Sequence, residues 1–126
     1  MFKIINQNDL RIGNYNAWNL FLDEDQSTIG KCYITPKRAS VNSMSDVFNG
    51  DLGILYHELI PQWKNAVKTC FQDQYQGYDI LISGSGTYKF QIDLIPKYNH
   101  KESENKRTFL PRDLHEIRRN LESHLK

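Results

Sequence analysis

The 126 residues are 39% apolar, 25% charged and 12% aromatic, and sixteen basic side chains against fifteen acidic ones leave a net charge of +1. That length supports one core, taken as a single domain over residues 1–126, and so even a charge balance argues against nucleic acid as a partner. No apolar run approaches the ~20 residues that span a bilayer, and residues 1–6 lack the apolar core of a secretory signal, so a cytoplasmic chain without membrane contact is expected.

The first predicted strand covers residues 17–22 (Ala17-Trp18-Asn19-Leu20-Phe21-Leu22) and ends at the acidic turn Asp23-Glu24-Asp25-Gln26-Ser27. A second covers residues 31–35 and stops at Pro36, close enough to pair with the first as an antiparallel neighbour. After a polar stretch, Leu52, Leu55, Tyr56, Leu59, Trp63, Ala66, Val67 and Cys70 recur at helical steps and predict one apolar stripe. Pro61 lies inside it, so a kink or two abutting helices is expected. Tyr78-Asp79-Ile80-Leu81-Ile82 reads as a strand, and Ser83-Gly84-Ser85-Gly86 separates it from another over residues 87–95. Residues 101–110 read as a polar loop of mixed charge. Pro111 suits the first turn of a closing helix with Leu114, Ile117, Leu121 and Leu125 on one face.

Strand, strand, helix, strand, strand, helix with short connections describes an α+β domain: an antiparallel sheet of four or five strands with helices over one face. In the last strand Phe90, Ile92 and Leu94 share one face while Lys89, Gln91 and Asp93 share the other. On periodicity alone this is a half-buried strand with a wet outer side. Cys32 and Cys70 fall in apolar segments and read as packed thiols. His57, His100, His115 and His124 have no paired spacing, so neither a metal nor a cofactor is expected.

The end of that strand, Leu94-Ile95-Pro96-Lys97-Tyr98, resembles the close of the histidine triad (HIT) signature, where three histidines alternate with apolar residues. Leu20-Phe21-Leu22-Asp23 is similar to the family's first strand and its ribose-binding aspartate. The run from Ile29 to Arg38 is similar to its second strand and Pro-Lys turn. The resemblance spans residues 15–100 and implies a HIT-like fold, nucleotidyl transfer or hydrolysis as ancestral chemistry, and a homodimer.

Lys89, Gln91 and Asp93 stand where the family has its histidines, and Ala39 where a fourth commonly follows. Asp79 falls where many members place a phosphate-facing asparagine. The nitrogen lone pair of an amide is delocalised into its carbonyl, and the group lacks the near-neutral titration of the attacking imidazole, so the standard mechanism is not expected. The implied nucleotide or nucleoside-phosphate contacts are Asp23, Phe21, Lys89, Gln91, Ser85 and Thr87, with Trp18 and Tyr33 beside the base. Ser83 to Thr87 reads either as a flexible hairpin or as an anion nest. Asp93 reads as a surface residue, a salt-bridge partner of Lys89, or a nucleophile or base. Three functions follow: a sensory or regulatory nucleotide or phosphometabolite binder, a protein-interaction module on the same scaffold, or a hydrolase using non-histidine chemistry.

Overall fold

The computed structural model describes residues 10–71, 75–84, 90–98 and 111–125. Five strands, β1 (Arg11–Tyr15), β2 (Trp18–Leu22), β3 (Cys32–Pro36), β4 (Tyr75–Ser83) and β5 (Gln91–Tyr98), form one sheet in the order β1-β2-β3-β5-β4. Every neighbouring pair is antiparallel. Between β3 and β4 the chain runs through α1 (Asn49–Ile54), a π turn (Leu55–Leu59) and α2 (Ile60–Cys70), and α3 (Pro111–Glu122) follows β5.

Both predicted hairpins form, and the fold class is the expected one. β1 was not anticipated: Arg-Ile-Gly-Asn-Tyr is short, and its pairing with β2 shifts register between Arg11 and Gly13. Asn16 closes that hairpin at φ 44°, a left-handed conformation that Asn tolerates better than most residues. β5 also runs through Pro96 to Tyr98. Its pairing with β3 ends at Leu94, so on that side the proline interrupts no ladder bond.

Pro61 produces no simple break. The helix widens into the π turn just before it, which relieves the clash of the ring with the preceding carbonyl, and α2 then continues with Pro61 in its first turn. The wider turn rotates the stripe. Leu55, Leu59, Trp63, Ala66 and Val67 are buried, whereas Tyr56, expected among them, is 48% exposed.

Alternation across the strands sets the two faces. Trp18, Leu20, Leu22, Cys32, Ile34, Ile92 and Leu94 lie under the helices in one core with Leu55, Leu59, Trp63 and Val67. Leu114, Ile117 and Leu121 of α3 join the same core, as their spacing predicted, and so does Leu125, which was expected on the helix but lies past its end at Glu122. Trp18, expected beside a bound base, is 1% exposed on the inner face. It shares parity with Leu20 and Leu22 and donates its indole N–H to Asp51 O at 2.9 Å. Cys32 and Cys70 are free thiols, the first buried and the second half-buried, and burial pushes both thiols up. No helix of the described residues is long and apolar enough to cross a membrane.

Candidate functional site

On the face away from the helices, register brings together side chains distant in sequence. Phe21 lies opposite Tyr33, Tyr33 opposite Asp93, and Asp93 opposite Leu81, so one row crosses β2, β3, β5 and β4. The rings of Phe21 and Tyr33 stack with centroids 5.2 Å apart and planes at 21°. One step along β5, Gln91 faces Ser83 across the ladder. Its Nε2 donates to Asp93 Oδ1 at 2.7 Å, joining two polar residues of the same strand face. Both are half-buried, as the alternation predicted, while Phe90, Ile92 and Leu94 on the other side are sealed.

Asp23 follows β2 directly, at the mouth of the β2–β3 loop. Its Oδ1 accepts the Asp25 N–H at 2.9 Å and its Oδ2 lies 3.5 Å from Lys31 Nζ, so the carboxylate closes a turn and holds a half-buried ion pair. The loop is tied from inside by Gln26, which is 3% exposed. Gln26 Nε2 donates to Asp23 O at 2.7 Å and to Lys31 O at 2.8 Å, and its Oε1 accepts the Gly30 N–H at 2.7 Å. All the ordinary bonding capacity of a buried amide but one lone pair is thereby used within the loop. Gly30 sits at φ 90°, and a Cβ there would meet Phe71 and Val67 at 3.3 Å. Its carbonyl accepts the Trp63 indole N–H at 3.2 Å, anchoring the loop to α2.

Asp79 is on the same outer face, opposite Ile95, and pairs with Lys97 at 3.7 Å where both are exposed. Arg38, next to Ala39, stacks 4.0 Å from the centre of the Phe48 ring and lies 3.7 Å from Asp51. Lys89, Ser85 and Thr87 lie outside the described residues, as does the expected polar loop over residues 101–110. Of the expected site residues, the fold therefore gathers Phe21, Tyr33, Gln91, Asp93 and, at one end, Asp23. Gln26 was missed: read from the sequence it belonged to an acidic turn, and side-chain bonds to nearby backbone leave no periodic trace. Among the described residues no three His, Cys, Asp or Glu side chains converge as a metal cage.

No protein-family model and no curated protein matches this chain. Solved structures do. A Zn-bound histidine triad family protein from Mycobacterium smegmatis superposes with a TM-score of 0.68 at 18% identity, over 92% of this chain and 83% of that one. A Hit-like protein involved in cell-cycle regulation from Bartonella henselae gives 0.71 at 18% identity, over 92% and 86%. A hypothetical histidine triad nucleotide-binding protein from Sulfolobus tokodaii gives 0.70 at 12% identity, over 92% and 83%. The strand order, the helical cover and these superpositions agree: the chain has the fold of the histidine triad proteins.

Proposed function

We propose that this protein binds a nucleotide or a related nucleoside compound on the outer face of its sheet, without histidine-based transfer chemistry. The observation that carries the reading is the row Phe21–Tyr33–Asp93 with Gln91 beside it: a stacked aromatic pair next to hydrogen-bonding groups, on the face the helices leave uncovered. Phe21 is itself 5% exposed, so it is the half-buried Tyr33 ring, backed by Phe21, that offers a flat ring a stacking partner, and fixed polar groups give that ring an orientation. Asp23, held still by Lys31 and the Gln26 knot, supplies an acceptor for sugar hydroxyls at one end. The resemblance puts Gln91 at the position of the attacking imidazole, and an amide cannot form the covalent intermediate. A similarity to one structure described as nucleotide-binding supports the ligand class. The two free thiols suit a reducing compartment.

The test is thermal denaturation with a panel of nucleosides and nucleotides. At least one raises the melting temperature, and Asp23→Asn, which keeps an acceptor for the turn but removes the charge, reduces that shift. A panel without effect contradicts the reading.

A second reading, an interaction surface, has its own observation. Ile80, Leu81 and Ile82 are exposed in succession on β4, an edge strand of nine residues. An exposed apolar edge invites strand pairing, and a second copy of this chain meets it antiparallel across a two-fold axis. Sedimentation is expected to show a dimer that Leu81→Lys converts to a monomer. A monomeric parent at high concentration excludes this.

A further inference from the structure

The outer face is not electrically uniform. At one end Asp23 is matched by Lys31 at 3.5 Å, and on the β4 side Asp79 is matched by Lys97 at 3.7 Å. Lys37, on the β1 side, is used by Asn14. Asp93 stands between these pairs, in the same cross-strand row as the stacked rings, and none of the ion pairs between described residues includes it. Its partner is neutral: Gln91 Nε2 donates to it at 2.7 Å. That bond takes one of the two amide hydrogens and leaves Gln91 Oε1 as an acceptor. Next to the rings, then, the described residues offer a carboxylate, an amide oxygen and one amide N–H, a set dominated by acceptors. A phosphate placed there brings a second anion against Asp93, and the repulsion is stronger beside half-buried groups than in bulk water. A ring amine or a hydroxyl placed there gains an acceptor that is already oriented.

We infer that the Gln91–Asp93 pair receives a hydrogen-bond donor of the ligand and turns a phosphate away, so that the site prefers a nucleoside to its nucleotide. This rests on the outer-face binding site proposed above and reverses the charge expected of a phosphate-handling site. Lys89, two residues before Gln91 in the sequence and outside the described residues, is the residue that competes with this assignment, and it is therefore one arm of the test.

Isothermal titration of the full chain with adenosine and AMP, and with guanosine and GMP, separates the outcomes. The parent is expected to bind at least one nucleoside about tenfold more tightly than the matching monophosphate. Asp93→Asn, isosteric and still able to accept from Gln91, is expected to close most of that gap. Lys89→Ala is expected to leave the preference as it is. A parent that prefers the monophosphate, with the preference lost in Lys89→Ala and unchanged in Asp93→Asn, overturns this inference and keeps the outer-face binding site. A nucleoside preference that Asp93→Asn leaves intact overturns the role given to the carboxylate. Absence of binding by all four compounds to the parent overturns both this inference and the proposed outer-face binding.

Discussion

On β5, Ile92 and Leu94 are sealed beneath the helices, while Gln91 and Asp93, each one residue away, remain half-buried on the opposite side. The inner face is continuous across the sheet, with Trp18, Leu20, Leu22, Cys32, Ile34, Ile92 and Leu94 meeting α2 and α3 in one cluster. The outer face carries an aromatic pair, two ion pairs, an amide and a carboxylate. One strand thus serves two physical tasks because its side chains alternate. Substitutions on the inner face are expected to act on stability, and on the proposed reading those at Gln91 and Asp93 act on ligand binding, whereas Phe21, buried although it faces outward, is expected to matter for stability too. The β2–β3 loop joins the two tasks, since Gly30 bonds inward to Trp63 and its N–H closes the Gln26 knot behind Asp23.

The largest expected effect is on the inner side. Trp63 is fully buried, packs edge-on against Tyr78 with centroids 5.4 Å apart and holds the Gly30 carbonyl. Trp63→Ala should cost about 3–5 kcal/mol in denaturant unfolding. A loss below about 1 kcal/mol contradicts this account of the core.

Next is the loop that links the faces. Gln26→Ala removes three short bonds and strands the Asp23 and Lys31 carbonyls and the Gly30 N–H, so about 1–3 kcal/mol is expected, together with weakened ligand binding. Lost stability with unchanged affinity would separate the loop from the site.

The smallest effect is a dependence on pH. Burial pushes the Tyr98 hydroxyl up, and that hydroxyl donates to Ile29 O at 2.8 Å. The folded state therefore keeps this proton where an unfolded tyrosine, with its ordinary value of about 10, releases it. The stabilisation is complete below about pH 10 and is lost as pH rises above it. Tyr98→Phe should be about 1 kcal/mol less stable at pH 8 yet lose less between pH 9 and 11 in denaturant titrations. Equal slopes for the two proteins would contradict the assignment.

Much of the fold was legible because burial writes itself into spacing. The β5 alternation and the stripe Leu114, Ile117, Leu121 and Leu125 both name the buried side correctly. Trp18 shows how a resemblance can override that signal, since its parity with Leu20 and Leu22 already pointed inward. Tyr56 shows the reverse case: the spacing was sound for an α-helix, and the π turn ahead of Pro61 rotated the residue to solvent. β1 was hidden by its brevity and register shift. The site was legible only where it follows from periodicity. Gln91 and Asp93 share a face by alternation, but the row joining them to Phe21 and Tyr33 depends on the pairing of strands far apart in sequence.

The most direct test of the outer-face site is a two-dimensional amide NMR titration of the parent protein with adenosine and guanosine. The predicted result is that one of them shifts the resonances of Phe21, Tyr33, Gln91 and Asp93 in a saturable way while those of Ala66 and Val67 on α2 stay in place. Saturable shifts confined to the helical side, or none anywhere with either nucleoside, would contradict it.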